Sequence, residues 1–198
     1  MTDWTGTEDT ARGPWLETHT GRQFHPLDPR PEDVHLEDIA WHLSRIARFN
    51  GATDVPVNVA EHSLRVYREY ETAYDVHPAE LLGVLLHDAA EAYIGDIPRP
   101  VKRAFEKMAP GVLKQIELTI LDAIYEHFDC KYPDANCLRI ADNKALIYEK
   151  TAYWPNSKHE WPGLEKVEVP VFRPIELNWT QAYRSFVSEV EFLRRQRR

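Results

Sequence analysis

Adjacent histidine and aspartate residues in a strongly apolar stretch are the first sign of chemistry in this sequence. His87 and Asp88 follow the run AELLGVLL, which is apolar on nearly every side of a helix. Such a helix belongs in a protein core, where an unpartnered imidazole or carboxylate is costly. A divalent metal can satisfy both groups, because Zn²⁺, Mn²⁺, Fe²⁺ and Co²⁺ accept nitrogen and oxygen ligands. Glu91 follows His87 by one helical turn, so we expect it on the same face, above such a metal.

Two further residues complete a candidate ligand set. His62 lies on the apolar side of the stretch VNVAEHSLRV, and Asp142 lies on the apolar side of RIADNKAL. Each is weak alone, because a buried histidine usually bonds to a neighbour and a helical aspartate is usually solvated. Combined with His87 and Asp88 they predict a metal site, with hydrogen-bonded core side chains as the alternative.

Helices must position these residues. Apolar side chains recur at steps of three and four through most of the chain from residue 33, and Asn58 and Asp134 stand where two helices need a cap. We predict an all-α fold, a single helical bundle over residues 31–198. Residues 1–30 are expected to form an arm with a short hairpin. Residues 155–174, rich in Pro, Trp and Val, are expected to form a loop with a short extended piece.

Composition restricts the class of protein. The formal net charge of -8 argues against a polynucleotide as partner, and no apolar run is long enough to span a membrane. The first residues lack the pattern of a secretory signal. Cys130 and Cys137 have no metal-binding or redox spacing and are expected to be reduced thiols. These features predict a cytoplasmic protein.

The segments AEHS, LLHDAAEAYIGDIPRPVK and IADNKAL resemble the H…HD…D signature of the HD-domain metal-dependent phosphohydrolases. The similarity spans residues 36–150 and is greatest to the branch of small 5'-deoxynucleotidases and phage dATP triphosphohydrolases. The HD pair is common, whereas HDxxE followed by GDxPxPxK is specific. The resemblance implies an HD-domain helical bundle in which a metal-activated water attacks a phosphate ester of a (deoxy)nucleotide. It implies four metal ligands: His62, His87, Asp88 and Asp142.

The resemblance also assigns roles around the metal. Glu91 and Asp96 match the acidic residues that activate or protonate in catalysis. Arg48 matches an arginine that grips phosphate, in keeping with the fit between guanidinium and phosphate.

Three more residues are implied to bind substrate. Phe49 would face the nucleoside, Lys102 would contact phosphate, and Pro98 would form a wall that excludes a 2'-hydroxyl. Two of them have structural alternatives, because Phe49 could be a core residue and Lys102 a surface residue.

Several points stay open at this stage. The substrate can be a nucleoside monophosphate or a triphosphate, and the single divalent ion can be Co, Mn, Zn, Fe or Mg, with a second ion left open for a triphosphate. The alternatives are an HD-fold hydrolase of a signalling nucleotide and a non-catalytic, metal-stabilised binding module. Exposed aromatics and the last helix predict a homodimer or higher homo-oligomer.

Overall fold

The computed structural model describes residues 11–154, 156–161, 163–164 and 177–197. Within these ranges the fold is all-α, as predicted, with a two-stranded antiparallel hairpin near the N-terminus. The strands are β1 (Leu16–Glu17) and β2 (Gln23–Phe24), with Leu16 paired to Phe24. The helices are α1 (Leu36–Leu43), α2 (Val59–Ala73), α3 (Pro78–Leu85), α4 (Glu91–Ile94), α5 (Arg99–Met108), α6 (Val112–Phe128), α7 (Ala135–Tyr153) and α8 (Trp179–Gln196).

Parts of two predictions lie outside the described residues. The first ten residues of the N-terminal arm are outside, as are residues 155, 162 and 165–176. The extended piece predicted within 155–174 therefore falls largely on chain that the structure does not describe. In the described part, none of the helices combines the length and apolarity that a membrane span requires.

Helix α2 is central, packed against α3, α7 and α8, while α1 packs against α4 and α8. The core between them holds fully buried aliphatic and aromatic side chains such as Leu64, Leu85 and Phe186. Burial of such side chains is the main favourable contribution to folding. Because α2 and α7 are neighbours, residues on their facing sides meet although they are far apart in sequence.

Both predicted caps are present. The Asn58 side chain accepts from the Glu61 amide at 2.9 Å, and the Asp134 side chain accepts from the amides of Asn136 and Cys137. Each cap satisfies amide groups that a helix start leaves without partners. The caps fix where α2 and α7 begin, and therefore the positions of His62 and Asp142 along the axes of these helices.

Gly83 on α3 permits a close approach to the chain that leads into α7. A Cβ at Gly83 would lie 2.0 Å from the Lys131 carbonyl oxygen. The Gly83 carbonyl also accepts a hydrogen bond from the Tyr125 hydroxyl. A side chain at position 83 would therefore separate α3 from this segment.

The prediction of one continuous helix through His87 and Glu91 is wrong. α3 ends at Leu85, and the next residues form tight turns, with the Ala89 amide donating to the Leu86 carbonyl at 2.9 Å. In a continuing helix the Val84 carbonyl would accept from the Asp88 amide; here it accepts instead from the His87 amide at 3.3 Å and from His87 Nδ1 at 2.9 Å. Glu91 therefore begins the separate helix α4 and is not one α-helical turn beyond His87.

Candidate metal centre

His62 projects from α2 into the core and is fully buried. Its Nδ1 lies 2.8 Å from Glu149 Oε1, and because a carboxylate can only accept, this nitrogen carries the proton. Nε2 has no hydrogen-bond partner among the described residues. In its neutral form, the form that binds a metal, the ring therefore directs the Nε2 lone pair into the protein.

His87 is held in the same way by its backbone. Its Nδ1 donates to the Val84 carbonyl at 2.9 Å, which leaves Nε2 as the atom with the lone pair. This Nε2 is also buried and without a hydrogen-bond partner in the described chain. A hydrogen bond at one imidazole nitrogen that orients the other is the usual arrangement of a metal-ligating histidine.

The two free nitrogens meet carboxylate oxygens. Asp142 Oδ1 lies 3.2 Å from His62 Nε2, and Asp88 Oδ2 lies 3.5 Å from His62 Nε2 and 3.3 Å from His87 Nε2. Ligand atoms of His62, His87 and Asp142 all lie within 4.8 Å of one another. Atoms bonded to one ion at about 2.0–2.2 Å lie about 3–4.4 Å apart, so the spacing fits a divalent metal. These three residues form a candidate metal-binding cluster, with Asp88 beside it.

The electrostatics favour positive charge at this point. Burial and Arg48 lower the pKa of His62, but Glu149 and Asp142 raise it more, so the pKa stands at about 9. Burial raises the pKa of Asp142, but His62 lowers it to about 2. Surroundings that hold a proton on a buried imidazole also favour a metal cation in its place, and nitrogen and carboxylate donors suit one.

Two more acids, Glu91 and Asp96, lie close enough to the cluster to interact with it electrostatically. Glu91 is buried, and its Oε2 has no hydrogen-bond partner among the described residues. Burial, Asp88 and Asp96 raise the pKa of Glu91 well above its usual range. Burial also raises the pKa of Asp96, whose charged neighbours include Arg48 and Asp88. A carboxyl group with a raised pKa can hold a proton near neutral pH and deliver it.

Arg48 is nearly buried and lies among these carboxylates. Its Nε donates to Glu149 Oε2 at 3.0 Å. Asp96, Asp88 and Asp142 also act electrostatically on its guanidinium. Arg48, for which the resemblance predicts phosphate binding, is therefore held beside the cluster by the bond from its Nε to Glu149.

Phe49, the next residue, turns the chain sharply. Phe49 and Asn50 both have positive φ angles, 56° and 53°, which residues other than glycine rarely adopt. The half-exposed Phe49 ring lies 6.0 Å from Trp154 and 5.8 Å from Trp161 between centroids. Neither fully buried nor free, Phe49 belongs to an aromatic cluster next to Arg48.

Helix α5 places two positively charged side chains, Arg99 and Lys102, beside the cluster. Lys102 Nζ lies 2.7 Å from Glu117 Oε1 and 3.5 Å from Glu91 Oε1, so Lys102 is more than an unpaired surface lysine. Arg99 contacts the second carboxylate oxygen of Asp142. No residue of α5 is buried, and its apolar side chains Phe105 and Met108 are exposed. The helix is therefore attached largely through polar contacts, and the half-buried Pro98 directly precedes it.

The sequence analysis missed two residues of this region. Glu149 is fully buried and contacts both His62 and Arg48. The signal was available, because Glu149 follows Asp142 by two turns of α7 and shares its face. Arg99 carried no signal of its own, since its contact with Asp142 depends on how α5 folds back.

Comparisons with known proteins leave the activity open. The chain matches no protein-family model. It is 43% identical over 96 residues to an uncharacterized protein of Rhodobacter capsulatus, an alignment that covers 47% of this chain and 49% of that protein. It thus spans about half the length of that relative. It is 29% identical over 176 residues to the uncharacterized protein YfdR of Escherichia coli, covering 87% of this chain and 92% of that protein.

Proposed function

We propose that this protein is a metal-dependent phosphohydrolase of the HD type that acts on (deoxy)nucleotides. The observation that carries the proposal is the pair of buried, unpartnered Nε2 atoms of His62 and His87, which face the carboxylates of Asp88 and Asp142. In each ring Nδ1 is already bonded to the protein and Nε2 is directed at carboxylate oxygens, which is the usual arrangement of metal-ligating histidines. The resemblance of the three sequence motifs to the HD signature supports the same interpretation.

The four residues His62, His87, Asp88 and Asp142 would hold one divalent ion, whose kind the donor set leaves open among Co, Mn, Zn, Fe and Mg. When bound, such an ion polarises a phosphoryl oxygen and lowers the pKa of a water molecule. A binding module needs only the ligands. The buried acids Glu91 and Asp96 beside them favour an enzyme.

The side chains around the cluster would transfer a proton and offset the negative charge of the phosphate. Glu91, with its raised pKa, exchanges a proton with the attacking water or the leaving oxygen. Arg48 offsets negative charge on the phosphoryl oxygens from a fixed position. The Lys102 ammonium group lies 3.5 Å from Glu91 and adds positive charge beside the cluster.

The substrate follows from the size and surroundings of this site. One arginine and one lysine beside a metal suit a single phosphate or triphosphate group, and the half-exposed ring of Phe49 suits a sugar or base. The net charge of -8 disfavours a polynucleotide. With Pro98 as the wall at the sugar, deoxynucleotides react faster than their ribo counterparts. Assembly as a homodimer or higher homo-oligomer, and a cytoplasmic location, stay predictions of the sequence.

A release screen tests the proposal. The chelator-treated protein is reloaded with each of the five candidate metals and offered deoxynucleoside and ribonucleoside mono- and triphosphates, a cyclic dinucleotide and guanosine tetraphosphate. We expect metal-dependent release of phosphate from monophosphates or of triphosphate from triphosphates. Hydrolysis confined to a cyclic dinucleotide or guanosine tetraphosphate would replace the substrate with a signalling nucleotide. Metal binding without hydrolysis of any of these would leave a non-catalytic module.

A further inference from the structure

Glu149 lies between two side chains of the site. One carboxylate oxygen, Oε1, lies 2.8 Å from His62 Nδ1, and the other, Oε2, accepts from Arg48 Nε at 3.0 Å. The side chain is fully buried. A single carboxylate therefore bonds to both the imidazole and the guanidinium.

The bond to His62 decides what that ring can do. An acceptor at Nδ1 keeps the proton there and leaves the Nε2 lone pair toward Asp142 and Asp88. Without it the neutral ring can place its proton on Nε2, which then cannot bind a metal. Glu149 also fixes the ring's rotation, because the side chain lies on the rigid helix α7.

The bond to Arg48 fixes the guanidinium at the same time. A buried arginine needs a carboxylate partner, and Glu149 supplies it through Nε. Among the described residues no hydrogen bond is made by the two terminal nitrogens of Arg48, whose guanidinium interacts electrostatically with Asp96, Asp88 and Asp142. The orientation of Arg48 and that of His62 depend on one side chain, although their own positions lie on different segments of the chain.

We propose that Glu149 is a positioning residue that sets both the His62 tautomer for metal binding and the direction of the Arg48 guanidinium for binding a phosphoryl anion. The proposal rests on the metal site of the proposed function, but not on its substrate. Glu149 touches neither the metal nor the substrate. Its removal should therefore weaken both metal binding through His62 and anion binding through Arg48. A residue that positioned only one of these side chains would affect only one kind of binding.

The test measures metal affinity without any turnover. Apoprotein is titrated with Co²⁺ against a competing chelator for the wild type and for Glu149→Gln, and binding of inorganic phosphate to the cobalt-loaded forms is then measured. We expect Glu149→Gln to weaken Co²⁺ binding by roughly 10–100-fold, the usual effect of losing such a histidine partner, and to weaken phosphate binding as well. Co²⁺ affinity equal to that of the wild type would overturn the proposal, whatever the outcome of the nucleotide screen.

Glu61→Gln is the matched control. Glu61 is also buried and accepts from Arg65 and Tyr153; Arg65 lies 3.9 Å from Glu149, and none of the hydrogen bonds described for the Glu61 side chain reaches His62 or Arg48. We expect it to change thermal stability and leave Co²⁺ affinity unchanged. A loss of Co²⁺ affinity in Glu61→Gln equal to that in Glu149→Gln would show a general packing effect and overturn the proposal.

A measurement on the wild type keeps the proposal falsifiable if Glu149→Gln fails to fold. In Zn²⁺-loaded protein labelled with ¹⁵N-histidine, His62 should show a protonated Nδ1 and a metal-bound Nε2. A His62 signal with its proton on Nε2 would contradict the proposed tautomer.

Discussion

The imidazole rings of His62 and His87 lie with centroids 5.6 Å apart and inclined by 52°. Each uses Nδ1 for a bond to the protein, to a carboxylate in one case and a backbone carbonyl in the other. Both Nε2 atoms are consequently left to a shared space bordered by Asp88 and Asp142. Residues from α2 and from the turn after α3 thus direct two nitrogens to one point.

Asp88→Ala should abolish metal binding. Asp88 Oδ2 lies close to the Nε2 atoms of both His62 and His87. Its loss therefore removes a proposed metal ligand at the point where the two histidines meet. Metal analysis of purified protein should give about one ion per chain for the wild type and little for the variant. Asp75→Ala, at an exposed position between α2 and α3, is the control that should keep its metal. Full occupancy in Asp88→Ala would remove Asp88 from the ligand set.

Glu91→Gln should separate metal binding from chemistry. In the proposed function the buried Glu91 carboxyl, whose pKa is raised, carries a proton and is not one of the metal ligands. We expect normal metal content and turnover lower by roughly 10²–10⁴-fold, the usual contribution of a general acid or base. Glu117→Gln, which also removes a partner of Lys102, should lower turnover far less. Turnover close to normal in Glu91→Gln would make Glu91 a bystander.

Arg48→Ala should weaken the action on nucleotides. Removing a charge-assisted contact with phosphate costs about 1.5–3 kcal/mol, which corresponds to a kcat/KM lower by about 10–160-fold. The control is Arg45→Ala, because Arg45 stacks 3.3 Å above the Trp41 ring instead. Steady-state kinetics on the preferred nucleotide give both values. Equal kcat/KM for Arg48→Ala and the wild type would show that Arg48 serves the fold alone.

The thiol of Cys130 should react slowly with alkylating reagents. Burial raises the pKa of Cys130 to about 12, so at pH 8 its thiolate population is roughly 10³ lower than that of an ordinary cysteine with a pKa near 8.5. In a Cys137→Ala variant, alkylation by iodoacetamide should be slow at pH 8 and accelerate as the pH approaches 12. The same variant unfolded in guanidinium chloride should react rapidly. Fast alkylation of the folded variant at pH 8 would contradict the raised pKa.

The sequence predicted the helical class, the hairpin, both caps and the residues of the metal cluster, because each depends on local chemistry. Asn58 caps α2 through a side chain within reach of its own helix, and His62 lies on the apolar face that the periodicity indicates. The break after Leu85 could not be predicted, since it depends on His87 taking the Val84 carbonyl in three dimensions. Likewise, the contact of Arg99 with Asp142 follows from the way α5 packs, which the sequence pattern does not specify.

An anomalous difference map from crystals grown with Co²⁺ tests the central claim most directly, namely that one metal centre is formed by residues of α2, the turn after α3, and α7. We expect a single strong peak about 2.0–2.2 Å from Nε2 of His62 and Nε2 of His87, bonded also to carboxylate oxygens of Asp88 and Asp142. Crystals with no peak at these atoms, or with cobalt bound elsewhere and both Nε2 atoms unligated, would contradict it.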